Sequence, residues 1–217
     1  MEDEDDYDYK MKIIFTGDMG VGKTKIIQRY TRKMYYEKDM PATIGVEFHW
    51  KRVYLKDEDV KIKALIWDTS GSERYRAVTV GHYRDSLGAV LVFDITDANT
   101  FESLDFWLKD LKRSVRKECV MALLPNKIDL ISGNSEKRQV SEEQIVEFAK
   151  KNGLLYLGEC SAKDDINVTE TLDQLVFEIK EKQKFNLHMI NSISNERVTL
   201  QAENKFMCGS SDSCFGC

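Results

Sequence analysis

Apolar and polar positions along this chain follow two rhythms. The apolar runs Met11–Thr16, Gly88–Phe93 and Cys119–Leu124 have the length and composition of strands covered on both faces by helices, and Leu154–Leu157 is a shorter one. Val46–Leu55 and Val60–Trp67 flank the polar stretch Lys56-Asp57-Glu58-Asp59, and the second run alternates through Val60, Ile62, Ala64 and Ile66. That pattern predicts an antiparallel hairpin with one wet face. Between the runs, apolar residues recur at helical spacing. Lys25–Tyr30 continues a helix from Lys23. Asn99 with Glu102 reads as a capping box ahead of Phe101, Leu104, Leu108, Leu111 and Val115. Ser141 with Gln144 opens a helix carrying Ile145, Phe148 and Ala149, and Asn167 with Glu170 opens one striped by Val168, Leu172, Leu175, Val176 and Ile179. Thr31–Ala42 is polar, contains Pro41 and reads as a loop. Alternating strand and helix predicts an α/β doubly wound sheet with its ligand at the carboxyl ends of the strands.

Composition narrows the possibilities. The chain has 217 residues, enough for one domain with an appendage, and its net charge of −5 speaks against a nucleic-acid binder. Six acidic residues fall within Met1–Tyr9, unlike a secretory leader, and no apolar run spans a bilayer. The expectation is a cytosolic chain with residues 1–8 as an acidic disordered N-terminus and a flexible tail over residues 185–217. Of the five cysteines, Cys119 and Cys160 sit in apolar runs as reduced core residues, whereas Cys208, Cys214 and Cys217 crowd the C-terminus.

The stretch with the clearest chemistry is Gly17-Asp18-Met19-Gly20-Val21-Gly22-Lys23-Thr24, which fits the phosphate-binding loop pattern G-x-x-x-x-G-K-[ST] between a predicted strand and a predicted helix. Glycines let successive N–H groups turn inward as an anion nest, and the helix start aims its positive end at the same oxygens. Lys23 supplies charge to β- and γ-phosphates, and the Thr24 hydroxyl is a ligand for Mg²⁺. The fold is accordingly expected to be a P-loop NTPase sheet of six strands, mostly parallel with one antiparallel edge strand, and with helices on both faces.

Three further motifs stand at strand ends. Asp68-Thr69-Ser70-Gly71 offers a carboxylate to a Mg²⁺ water and the Gly71 N–H to a γ-phosphate. Asn126-Lys127-Ile128-Asp129 offers a carboxylate that accepts both N1–H and N2–H₂ of guanine, a pair adenine cannot provide. Ser161-Ala162-Lys163 brings a backbone N–H towards guanine O6. Each is weak alone; the order of all four is specific.

With these motifs, the chain over roughly Tyr9 to Lys184 resembles a small Ras-like GTPase, and among those a Rab protein. The Rab-like marks are Ile44-Gly45-Val46-Glu47-Phe48, Trp67-Asp68-Thr69, Arg74-Tyr75-Arg76-Ala77-Val78-Thr79, Tyr83-Arg84 and Phe93-Asp94-Ile95-Thr96-Asp97. The resemblance implies a GTPase domain over residues 9–184 that binds GTP or GDP with Mg²⁺ and switches in vesicle traffic. It implies that Thr43 binds Mg²⁺ and the γ-phosphate, and that Tyr35, with Tyr36 as rival, lies against the guanine. It also implies an exchange factor, an activating protein, a GDP-dissociation inhibitor or escort protein, and effectors reading Ile44, Phe48, Trp67 and the position of His82. The expected form is a monomer on the cytoplasmic face of endomembranes.

Several positions depart from that pattern. Ser72 stands where the family has the glutamine that orients the attacking water, and serine is two bonds too short to reach it. Slow unaided hydrolysis follows; drift in a tolerant lineage is the plain alternative. Met19 replaces a usual serine, with its bulk towards the γ-phosphate side. Ser70 replaces an alanine and Pro125 a glycine. His82 replaces the tyrosine of an aromatic triad, and is either a solvated surface histidine or the mark of an altered effector set. The chain ends Cys214-Phe215-Gly216-Cys217 instead of in adjacent cysteines or C-x-C; prenylation of Cys214, Cys217 or both is expected. A GTP-bound scaffold without useful catalysis is the second reading, and an ATP-dependent kinase, opposed by Asp129, the third.

Overall fold

The alternating apolar runs become a single six-stranded sheet. The structure, a computed structural model, describes residues 7–35, 41–133 and 135–183. Strand β1 is Tyr9–Thr16, β2 Val46–Leu55, β3 Val60–Thr69, β4 Gly88–Asp94, β5 Val120–Asn126 and β6 Leu155–Tyr156. The spatial order is β2-β3-β1-β4-β5-β6. Among the paired strands of the described residues, only β2–β3 is antiparallel, so the expected edge hairpin is present and β2 lies at the rim. Helices are α1 (Lys23–Arg32), α2 (Arg76–Gly81), α3 (Ala98–Glu102), α4 (Leu104–Ser114) and α5 (Glu142–Asn152), with α6 over 168–183. The chain divides into Met1–Ile179 and Lys180–Cys217, and of the second unit the described part is the end of α6.

Successive residues of a strand face opposite ways, and the core is built from both faces. Ile13, Phe15, Val90, Val92, Ala122 and Leu124 join Ile26, Ile27 and Tyr30 of α1 and Leu172, Leu175, Val176 and Ile179 of α6. Ile14, Leu91, Phe93 and Leu123 join Leu104, Trp107, Leu108 and Leu111 of α4 and Ile145 and Ala149 of α5. Unbroken apolar runs thus occur where two helix layers cover the sheet. β3 alternates as expected, with Ile62, Ala64 and Ile66 buried.

Four local expectations change. Asn99 is not a cap: Asp97 caps α3, its carboxylate accepting from the Asn99 N–H, and Asn99 gives its own amide to Asp97. The stripe from Phe101 to Val115 is broken at Ser103, whose hydroxyl donates to the Asn99 carbonyl, a bond that competes with the helical ladder. Asn167 does stand at the start of α6, but with φ +57° it spends its amide on the Glu159 carbonyl. Asp8, assigned to the acidic tail, is held to β3 through the Lys61 carbonyl and N–H. The Ser141–Gln144 capping box, by contrast, forms with both of its bonds.

Pro125 lies in an interior strand without penalty. Its carbonyl accepts from Cys160 N–H at 2.9 Å. The missing proline N–H points to that same side, where β6 has already ended at Tyr156.

Candidate functional site

Helix α1 begins without a cap. Gly22, at φ +99°, precedes Lys23 and, having no side chain, gives the first turn no capping bond, and no acidic residue lies in that turn. Helix α5 has the capping box and two glutamates in the same place. An uncapped end leaves its first N–H groups to whatever lies in front. In front of α1 lies a cleft of about 280 Å³ bordered by Met19, Gly20, Gly22, Lys23, Thr24 and Gly71.

Lys23 is 6% exposed, and its Nζ donates to the carbonyls of Gly17 and Asp18, both at 2.8 Å. Burial pulls its pKa down to about 8, against the nearby carboxylates of Asp68 and Asp18. Two glycines permit the loop's close approaches. A Cβ on Gly17, at φ +136°, would stand 2.1 Å from the Val92 carbonyl oxygen, and one on Gly71 2.3 Å from the backbone of Asp18 and Met19.

Asp18 is fixed by a residue the sequence pattern did not single out for this site. The buried Trp107 of α4 donates its indole N–H to Asp18 Oδ1 at 2.7 Å. Trp107→Phe keeps an aromatic ring but removes that donor, and is expected to lower unfolding stability by about 1–3 kcal/mol. Denaturant unfolding at saturating nucleotide measures this, and an unchanged midpoint would contradict it.

Thr24, Thr43 and Asp68 converge. The two hydroxyl oxygens are 3.0 Å apart, and both donate to Asp68 Oδ2, at 2.5 Å from Thr24 and 3.4 Å from Thr43. Neighbouring ligands of an octahedral ion at about 2.1 Å stand about 3.0 Å apart, and all three groups offer oxygen, as Mg²⁺ requires. Asp68 is fully buried, and its Oδ1 has no hydrogen-bond partner among the described residues. Burial pushes its carboxyl pKa up, while the Thr24 hydroxyl and the Lys23 charge oppose the rise. These residues fit a divalent cation.

A second cleft, of about 290 Å³, shares Gly20, Gly22, Lys25 and Tyr35 with the first, so the two form one groove. Its far side is Asn126, Lys127, Asp129, Leu130, Ala162 and Lys163. The Ser161 hydroxyl donates to Asp129 Oδ1 at 2.7 Å and orients the carboxylate. Asn126 is a bolt: its Nδ2 donates to the Val21 carbonyl and its Oδ1 accepts from Ala162 N–H. Gly22 must be glycine here as well, because a Cβ would lie 2.4 Å from Asn126 Nδ2. Lys127, at φ +73°, pairs its ammonium with Asp94 at 2.7 Å. Burial alone would raise the Asp94 pKa, but hydrogen bonds from Lys127 and Thr96 hold it below the usual range. Arg29 holds the third loop from α1, donating to the carbonyls of Ala162 and Lys163. Tyr35 lies beneath Lys25 and Arg29, 4.9 and 5.3 Å from its ring centre. Tyr36 lies outside the described residues.

Past Gly71 the chain is tied to α4. Ser72 N–H donates to Ser70 Oγ at 3.3 Å, one short turn follows, and Arg76 makes two bonds of 2.7 Å to Asp110 while covering the Phe106 ring. Met19 is 63% exposed at the rim of the groove. On the opposite face of the hairpin, Phe48 meets Trp67 edge-on at 5.4 Å and His82 stacks on Trp67 at 5.2 Å. His82 is half-buried there, not freely solvated. Ile44 stands 74% exposed. Cys214 and Cys217 lie outside the described residues. Among the described residues, no helix is long and apolar enough to cross a membrane.

The groove has relatives. The Ras family model matches residues 12–181. The chain is 42% identical over 183 residues to the Ras-related protein RABA1h of Arabidopsis thaliana, covering 82% of this chain and 80% of that one. It is 42% identical over 176 residues to the GTP-binding protein ypt3 of Schizosaccharomyces pombe, covering 81% and 78%. It is 41% identical over 194 residues to the human Ras-related protein Rab-25, covering 88% and 87%. Family match, sheet order and groove agree: the chain belongs to the Ras family of small GTPases and stands with its Rab-named members.

Proposed function

We propose that the chain is a guanine-nucleotide switch of the Rab type acting in vesicle traffic, and that it hydrolyses GTP slowly unaided. The observation that carries this reading is the two-part groove, with an uncapped helix end and a buried lysine on one side and an oriented carboxylate on the other. In it, the backbone from Asp18 to Thr24 cradles the phosphates, Lys23 supplies charge, and the Gly71 N–H meets the γ-phosphate. Thr24, Thr43 and Asp68 would hold Mg²⁺, which when bound neutralises charge on the phosphate oxygens. Asp129 takes both guanine donors, Ala162 and Lys163 present backbone to the base, Asn126, Lys127 and Ser161 hold the pocket's shape, and Tyr35 covers its side. Adenine would leave the Asp129 carboxylate unpaired, which opposes an ATP-dependent kinase.

In this reading a γ-phosphate holds Thr43 and Gly71 with their flanking segments, so nucleotide state reshapes the surface of Ile44, Phe48, Trp67 and His82. Effectors are proposed to read that surface, with an exchange factor, an activating protein and a GDP-dissociation inhibitor or escort protein completing the cycle. Residues 9–184 form the switch and 185–217 its tether, with prenyl groups on Cys214, Cys217 or both directing it from the cytosol to the cytoplasmic face of endomembranes.

A second reading, a GTP-bound scaffold without useful catalysis, is favoured by Ser72 and by Met19 at the phosphate rim. Identifying the nucleotide that copurifies, then following its conversion with and without a Rab-type activating protein, separates the two. A switch carries guanine nucleotide and is accelerated by the partner, by roughly 10³–10⁵ where an arginine enters in trans. A scaffold retains GTP in both conditions.

A further inference from the structure

Beside the hydroxyl pair lies a second set of ligand atoms that nucleotide binding does not use. Glu47 and His49 are two positions apart on β2 and so share a face, and the register sets Glu47 opposite Asp68. One carboxylate oxygen of Glu47, one imidazole nitrogen of His49 and one oxygen of Asp68 lie within 4.8 Å of one another. The His49 side chain is 9% exposed, and its Nε2 is buried without a hydrogen-bond partner among the described residues. Glu47 Oε2, at 3.8 Å, is too far to accept from it. Asp68 Oδ1 is likewise buried and unbonded, while Oδ2 is taken by Thr24 and Thr43. Two unbonded buried atoms of different residues in one three-residue cluster are rare in a native fold.

We propose that Glu47, His49 and Asp68 form a site for a divalent transition-metal ion of the Zn²⁺ class, with Asp68 shared between this ion and the Thr24–Thr43 hydroxyl pair. Imidazole with carboxylates selects Zn²⁺, Co²⁺ or Ni²⁺ over Mg²⁺ and Ca²⁺, which prefer oxygen alone. Tetrahedral ligands bound at about 2.0–2.2 Å stand about 3.4 Å apart, so the 3.8 Å gap between Glu47 and His49 closes by a few tenths of an ångström, and the gaps to Asp68, at most 4.8 Å, by no more than about 1.4 Å. Two carboxylates balance the ion's charge, and a neutral imidazole supplies the softer ligand. The Glu47 side chain is 53% exposed, which gives the ion an entry path and leaves room for water as fourth ligand. Occupied, the site ties the start of β2 to the carboxylate beside the phosphate cleft.

Cobalt reports on such a site through its visible d–d absorption. The full chain is used with GDP bound, Mg²⁺ in large excess to hold the oxygen-only position, and Cys208→Ser, Cys214→Ser and Cys217→Ser to remove the tail thiols. The expected result is one equivalent of Co²⁺ bound with a d–d band and no thiolate charge-transfer band, displaced by Zn²⁺ but not by more Mg²⁺. His49→Ala abolishes the band, and Glu47→Gln, at an exposed position that does not threaten the fold, weakens Co²⁺ binding at least about tenfold. Bound GDP in each variant, measured by chromatography, verifies folding independently of the metal. The proposal is overturned by absence of the band, by its loss to excess Mg²⁺, or by binding that both variants leave unchanged.

Discussion

Replacing Asp129 by asparagine is expected to weaken GTP and GDP binding by about 30- to 4,000-fold. The carboxylate is oriented by the Ser161 hydroxyl, and its role is to accept two N–H groups from one edge of guanine. Asparagine keeps the shape but turns one acceptor into a donor that faces the guanine amino group. Losing a charged acceptor that takes two hydrogen bonds from neutral donors costs about 2–5 kcal/mol, which is the stated range at 1.4 kcal/mol per tenfold. The fold should survive, since Asp129 packs in no core cluster. Fluorescent-nucleotide competition measures the loss, and thermal unfolding of both proteins without nucleotide verifies the fold. An affinity within threefold of the parent would remove Asp129 from base recognition.

Ser72→Gln is expected to raise single-turnover GTP hydrolysis about 10- to 100-fold with GTP affinity unchanged. Ser72 has extended backbone angles, φ −92° and ψ +132°, directly after Gly71 and ahead of the turn at Glu73–Tyr75. A longer side chain from that point gains an amide that can hold water in line with the γ-phosphate, where the serine hydroxyl ends two bonds short. Misplacing a reacting group by about an ångström costs on the order of 10²-fold in rate, which sets the upper end. Phosphate binding rests on Lys23 and the loop backbone, which the substitution does not touch, so the change should appear in the rate alone. Equal rates for the two proteins would mean that Ser72 is neutral drift.

The parts of this molecule legible in sequence are those whose chemistry is written in consecutive residues. The phosphate loop, Asp68 to Gly71 and Asn126 to Asp129 each name their own ligand chemistry, and the apolar runs between them fix the sheet. What stayed hidden depends on partners far apart in the chain. Trp107 reads as an ordinary core aromatic until it meets Asp18, and Arg29 reads as helix surface until its guanidinium bridges to the loop at Ala162 and Lys163. Asn126 reads in sequence as part of the guanine motif, and its amide also joins two loops. Asn99 illustrates a local failure: the Asx pattern is correct, but Asp97, two residues earlier, is the better acceptor and takes the cap. His82 is ambiguous in sequence because its surroundings decide its role, and those include the Trp67 ring.

The switch rests on a choice of base, and calorimetry on the nucleotide-free full chain with Mg²⁺ measures that choice. Titration with GDP and GTP, then with ADP and ATP, should show tight one-to-one binding of the guanine nucleotides and adenine affinities at least about 10³-fold weaker. Comparable affinity for the two bases, or no binding of either, would contradict it.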